Sequence, residues 1–183
     1  KAFASKAADK PLEDYELERR EPRDNEVEVK IQFCGICHSD IHTARGDWGD
    51  IEYPCVPGHE IVGHVSKVGQ SVTKYNIGDR VGVGCMVNSC GRCEPCKAGL
   101  EQYCDNDCTW TYDSVDPVDN TTTQGGYSTA IVVPEHFVIS IPESLSSAEA
   151  APLLCAGITT YSPLRHWGAK KGMSVGIIGL GGL

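Results

Sequence analysis

The sequence has no apolar run approaching the roughly 18 residues that a membrane-spanning helix requires, which excludes such a helix. It has no excess of positive charge. Its 16 Lys and Arg stand against 25 Asp and Glu, a formal net charge of −9. A surface for nucleic acid needs clustered Lys and Arg, so that class of partner is excluded. There is no block of five like charges and no internal repeat. The opening residues KAFASKAADK lack the apolar stretch of a secretory leader. They read as a mature start that has lost only its initiator Met, in a cytoplasmic protein. Nothing marks export, so the ten cysteines point to metal ligation or catalysis rather than to disulfides.

What is present reads mostly as β structure. The length of 183 residues suits one full domain and part of another. Val27, Val29, Ile31 and Phe33 alternate with Glu26, Glu28, Lys30 and Gln32, which predicts a strand with one buried face. Residues 60–69 and 79–85 read as further strands. Residues 127–133 and 137–141 read as another pair, separated by Pro134 and Glu135. Short strands with many glycines over the first 145 residues suit a small barrel or sandwich. Residues 113–126 read as a polar surface loop. The texture changes at Ser146, which forms a capping box with Glu149 and opens a helix. Pro152 is expected to kink or split it. Helical content continues through His166. Ser174–Ile178 then reads as a short apolar strand, and Gly179, Gly181 and Gly182 as the start of a glycine-rich phosphate loop.

The strongest signal is Cys90, Cys93, Cys96 and Cys104, spaced C-x2-C-x2-C-x7-C. Two-residue gaps let successive thiolates turn onto one cation, and the fourth closes a tetrahedron. Backbone N–H groups, with Arg92 or Lys97, would offset the negative charge of four thiolates on zinc. An iron–sulfur site, a Cys93–Cys96 redox pair and buried free thiols are the alternatives. With no open ligand position, a zinc here would staple a lobe spanning residues 85–108. A second set is scattered: Cys37, His59 followed by Glu60, and Cys155. Each alone reads as core or surface. Together they offer two thiolates and an imidazole, which suits a catalytic zinc with an open fourth place.

The motifs GICHSDIH, VPGHEIVG, GDRVGVG, CGRCEPCKAGLEQYC, PLLCAGITTY and VGIIGLGGL occur in an order that resembles the zinc-dependent medium-chain alcohol dehydrogenases. CHSDIH and APLLCAGITTYSPLRHW resemble their cinnamyl-alcohol-dehydrogenase-type aldehyde reductases. The resemblance implies a mainly β GroES-like catalytic domain over residues 1–151. The first βα turn of an incomplete Rossmann domain would follow over 152–183. It implies one catalytic and one structural zinc, NADP(H) rather than NAD(H), and interconversion of small aromatic or aliphatic aldehydes with primary alcohols. No nucleic acid or membrane partner is implied, and the full-length protein would be a homodimer.

The resemblance also implies roles. Cys37, His59 and Cys155 would hold the catalytic zinc, with Glu60 either a transient ligand or a neighbouring carboxylate. Asp40 would accept the other imidazole N–H of His59. Ser39 would pass the substrate proton to His42. His38 would face the cofactor pyrophosphate and Thr159 the nicotinamide, while Gly179, Gly181 and Gly182 would approach the phosphates. Trp48, Cys85 and Trp110 would line the substrate pocket, with Met86 nearby. Cys34, Cys55 and Cys108 would be free thiols. Two other readings stand beside this one: a metal-binding fragment without turnover of its own, and a zinc-free quinone reductase of the same superfamily. The two ligand sets argue against the second. The end of the sequence inside the glycine motif reads as a cleaved or incomplete enzyme.

Overall fold

Valine sets the centre of the molecule. In the computed structural model, which describes residues 1–183, the elements follow in the order β1 (Ala2–Ala4), β2 (Glu13–Tyr15), β3 (Glu26–Cys34), α1 (His38–Arg45), β4 (Ile61–Val68), β5 (Arg80–Val83), β6 (Met86–Asn88), α2 (Glu94–Lys97), β7 (Thr109–Trp110), β8 (Ala130–Pro134), β9 (Val138–Ser140), α3 (Ser147–Ala150) and α4 (Ala156–His166). Five strands form an antiparallel sheet in the order β8-β3-β4-β5-β9. Its inner face buries Val27, Val29, Ile61, Val65, Val81, Val83, Ile131, Val133 and Val138. These β-branched side chains fit a pleated surface, and each contributes about 1.5–3 kcal/mol when fully buried.

The sheet curls. β8 and β9 are its two edges, yet only the 3-10 turn Glu135–Phe137 separates them. Across a flat five-stranded sheet the edges would stand about 19 Å apart. The four peptide steps from Pro134 to Val138 reach about 14 Å at most. Residues 127–133 and 137–141 therefore do not pair with each other, contrary to the sequence expectation. Pro134 ends one edge and the tight turn carries the chain to the other.

The alternation in β3 fails at both ends. Glu26, expected to face water, is 1% exposed. Arg20 forms a bidentate ion pair with it, and the Arg23 N–H donates to its Oε2 at 2.8 Å. Phe33, expected in the core, is 47% exposed because the register with β4 slips between Ile31 and Phe33. Residues 113–126 form the expected surface loop, exposed at Val115 and over 117–121, but it is tied down at several points. Asp116 pairs with Arg23 at 3.1 Å, and Gly125 and Gly126 are buried.

The helical segment follows its sequence signals. The Glu149 N–H donates to Ser146 Oγ at 3.3 Å, and the Glu149 carboxylate accepts from the Ser146 N–H at 3.2 Å. Pro152 lies in a 3-10 turn, Ala151–Leu154, that splits α3 from α4. Ala150, Ala151 and Leu154 pack on Val62, which sets Cys155 against the sheet. Two small pairings, β1 with β2 and β6 with β7, carried too few residues to be read from the sequence. Ser174–Ile178 forms no strand. No other strand lies beside it to supply hydrogen bonds, and Val175, Ile177 and Ile178 are exposed. No helix is long and apolar enough to cross a membrane.

Candidate metal centres and cleft

Asp40 organises the first centre. Cys37 caps α1, and its N–H donates to Asp40 Oδ2 at 2.9 Å. The Gly58 N–H donates to Oδ1 at 3.1 Å, and the Tyr127 hydroxyl donates to Oδ2 at 2.8 Å. His59 Nδ1 lies 3.0 Å from Oδ1. One buried carboxylate thus ties the head of α1 to the segment before β4 and to the segment before β8. Burial works against its charge, but the hydrogen bonds from His59 and Cys37 outweigh burial and hold its pKa below the usual value. Burial likewise works against a charged His59, and Asp40 outweighs it, so the His59 pKa is raised.

Two glycines make room. Gly58 has a φ of +102°, a backbone conformation that side chains rarely adopt, and a Cβ there would strike Tyr127. A Cβ on Gly35 would occupy the place of the Glu60 carboxylate.

Ligand atoms of Cys37, His59, Glu60 and Cys155 all lie within 4.8 Å of one another. With Nδ1 facing Asp40, the imidazole Nε2 is the nitrogen left for a metal. Two thiols, an imidazole and a carboxylate are a donor set that fits zinc. The charges respond to the crowding. Burial, with Asp40 close by, raises the Glu60 carboxyl. Burial and the neighbouring Cys85 and Cys37 raise the Cys155 thiol. At Cys37 burial is outweighed by hydrogen bonds from Ser39 and by His59, so that thiol falls below its usual value.

The second centre is the lobe. Sγ atoms of Cys90 and Cys96, and of Cys93 and Cys104, lie 3.9 Å apart. The edge of a sulfur tetrahedron around zinc at 2.3 Å is about 3.8 Å. All four ligand atoms fall within 4.8 Å of one another, so the lobe fits zinc as well. Backbone donors face the sulfurs: Cys93 N–H to Cys90 Sγ at 3.4 Å and Cys90 N–H to Cys104 Sγ at 3.5 Å. Arg92 contributes its backbone N–H, and Lys97 pairs with Glu94 at 3.4 Å instead of turning to the thiols. The expected main-chain dipoles therefore face the thiols, and Lys97 does not. Those from Arg92 and Cys93 pull the Cys90 thiol down to about 6. No cysteine of the chain is in a disulfide.

His59 and Cys155 also line a cleft of about 470 Å³, together with Ser39 and with Trp48, Cys85 and Trp110. Met86 does not line it; it pairs with Trp110 across β6 and β7. Tyr112 and Asp113 do line it, and the sequence reading missed both. Their only sequence signal is adjacency to Trp110. The Tyr112 hydroxyl stands 3.2 Å from His59 Nδ1. Ser39 Oγ is 3.6 Å from Cys37 Sγ. No hydrogen bond joins Ser39 to His42, whose Nδ1 faces Asp47 at 2.8 Å. His38 sits one turn before His42, their rings 6.2 Å apart. Thr159 is exposed on α4, Gly179 and Gly182 have open space around them, and Gly181 meets only the Gly179 carbonyl at 3.8 Å.

The sequence profile of the alcohol dehydrogenase GroES-like domain matches residues 23–143. The chain is 57% identical over its whole length to NADP-dependent alcohol dehydrogenase C 1 of Mycolicibacterium smegmatis, of which it covers 52%. It is 54% identical to aldehyde reductase YahK of Escherichia coli, covering all of this chain and 52% of that protein. It thus spans about half the length of the curated relatives it matches. Among solved structures, CAD from Helicobacter pylori complexed with NADP(H) superimposes with a TM-score of 0.91 at 46% identity, over 94% of this chain and 50% of that one. A cinnamyl alcohol dehydrogenase from Sorghum bicolor gives 0.88 at 46% identity, over 91% and 47%. The curled sheet, the two cysteine-bearing centres and these matches agree: the chain belongs to the alcohol dehydrogenase GroES-like domain family, in the cinnamyl-alcohol-dehydrogenase-type branch of the medium-chain alcohol dehydrogenases.

Proposed function

We propose that this chain is the catalytic part of a zinc-dependent oxidoreductase that interconverts aldehydes and primary alcohols with NADP(H). The observation that carries the reading is the Cys37, His59, Glu60 and Cys155 cluster, two of whose members line an apolar cleft flanked by Trp48 and Trp110. The names of the M. smegmatis and H. pylori relatives support NADP(H). In this reading Cys37, His59 and Cys155 hold the catalytic zinc and Glu60 is its nearby carboxylate. When bound, zinc supplies a Lewis acid that draws charge from the substrate oxygen.

The remaining work falls to the chain. Asp40 fixes the His59 ring so that Nε2 faces the cluster. Trp48, Trp110 and Cys85 hold a flat apolar substrate and exclude water. Ser39 Oγ takes the substrate hydroxyl proton, and His42 carries it toward solvent. With no direct bond between Ser39 and His42, an intervening hydroxyl, from water or cofactor, completes that path. His38, Thr159, Gly179, Gly181 and Gly182 contact the cofactor. Residues 1–151 form the catalytic domain and 152–183 open a nucleotide domain through which full-length subunits pair. The lobe of Cys90, Cys93, Cys96 and Cys104 holds a structural zinc.

A second reading concerns this chain alone: it binds metal without turnover. The exposure of Thr159 and the absence of a strand at 174–178 favour it. The purified chain is mixed with NADPH and an aromatic aldehyde, beside the full-length protein, and NADPH absorbance is followed. The full-length protein is expected to consume NADPH and the 19.7 kDa chain is not. Turnover by the intact chain overturns the second reading; no turnover by the full-length, zinc-loaded protein with any aldehyde overturns the first.

A further inference from the structure

Asp113 is the only carboxylate lining the cleft, and no Lys or Arg lines it. Its carboxyl is half-buried and takes no hydrogen bond from the chain; burial and the nearby Glu52 both push its pKa up. Its backbone is held at a φ of +53°. Asp is among the few residues other than glycine that adopt that conformation readily. Two hydrogen bonds pin it there: Asp113 N–H to Thr123 O at 3.1 Å and Ser114 N–H to Thr123 Oγ1 at 3.0 Å. The same cleft offers the indoles of Trp48 and Trp110, whose faces attract cations.

We propose that Asp113, with Glu52 beside it, makes the cleft charge-selective: it favours an alcohol or aldehyde carrying a cationic group away from the reacting carbon, and disfavours one carrying a carboxylate. The inference rests on the cleft being the substrate site. A protonated amine finds there an unshared carboxylate and two aromatic faces. A substrate carboxylate meets the like charge of Asp113, reinforced from outside the cleft by Glu52, and no Lys or Arg.

The test uses the zinc-loaded chain and follows quenching of tryptophan fluorescence by three alcohols with one ring: benzyl alcohol, 4-(aminomethyl)benzyl alcohol and 4-(hydroxymethyl)benzoate. The amine is expected to bind about fivefold more tightly than benzyl alcohol, the size of a partly exposed ion pair, and the benzoate more weakly than either. Asp113→Asn keeps the shape and tolerates the left-handed backbone. It is expected to shrink the amine-to-benzoate ratio to about a third or less, the effect of losing one such pair. Glu52→Gln shrinks it less. Equal affinities for the three alcohols, or a ratio unmoved in both variants, overturns the inference while leaving the cleft as substrate site. Binding of none of the three overturns the substrate-site reading and the inference with it.

Discussion

In the lobe, all four sulfur ligands come from the fifteen residues 90–104; in the cleft centre, the four ligand atoms come from residues as far apart as 37 and 155. The local site is made almost entirely by its own backbone, whose N–H groups face the sulfurs. The dispersed site needs the whole sheet. The N-cap of α1, just after β3, delivers Cys37, the segment before β4 delivers His59 and Glu60, and the packing of Leu154 against Val62 sets Cys155. The donor chemistry differs with the construction. Four thiolates close around a metal, whereas two thiols, an imidazole and a carboxylate beside a cleft leave room for exchange. A site that can form locally stabilises its own loop. A site that depends on the fold can serve chemistry, because the fold already holds it.

That contrast predicts the largest effects. In the full-length enzyme, Cys155→Ser is expected to lower turnover by about a thousandfold or more, with melting almost unchanged, since the sheet persists without the metal. Cys96→Ser is expected to unfold the lobe and lower melting and solubility, with activity lost in consequence. Thermal melts beside steady-state rates check the pair. A Cys96→Ser protein with unchanged melting and full zinc content would erase the division.

Asp40→Ala tests how far the cleft centre leans on the fold. It removes one buried carboxylate from Cys37, Gly58, His59 and Tyr127 together. The expected cost is about 3–5 kcal/mol, read as a melting point lower by roughly 10 °C. A loss confined to metal affinity, with melting intact, would limit Asp40 to a ligand-orienting role.

The sequence made the lobe legible and the dispersed site nearly so, for different reasons. C-x2-C-x2-C is a spacing, and spacing survives without a fold. Cys37, His59 and Cys155 were recognisable only as a set, through the motifs around them. The contact of Asp40 Oδ1 with His59 matches the pairing expected for those residues. Tyr112 and Asp113 were not legible, because what brings them to the cleft is the short pairing of β6 with β7 and the turn after it. Glu26 was misread because its partners, Arg20 and Arg23, precede the strand and leave no periodic mark. The β8–β9 pairing was misread because adjacency in sequence suggests a hairpin, whereas β8 pairs with β3 and β9 with β5, and curling of the sheet brings these two edges near enough for a short turn to join them.

A pH series on the metal-free chain separates the centres further. The raised His59 pKa contributes stability that is complete below about 6.5, its unfolded value, and is lost as pH rises through the higher folded value. The lowered Asp40 pKa contributes stability present above about 3.9, its unfolded value, and lost as pH falls through the lower folded one. Melting of the metal-free chain is therefore expected to decline as pH rises above about 6.5 through the raised folded value. Asp40→Asn should remove that decline, and a decline that persists in it points elsewhere.

The smallest effect concerns the lobe. Lys97 is exposed and pairs with Glu94 rather than with sulfur. Lys97→Ala is expected to change stability by less than about 0.5 kcal/mol and to leave zinc content as it was. Zinc loss in that variant would return the charge-offsetting role to the side chain.

Native mass spectrometry of the zinc-loaded chain tests the central claim most directly. The wild-type chain is expected to carry two zinc ions, and Cys155→Ser to carry one while melting at the wild-type temperature. A wild-type chain that holds no zinc, or a Cys155→Ser chain that still holds two, contradicts the account of two centres with separate roles.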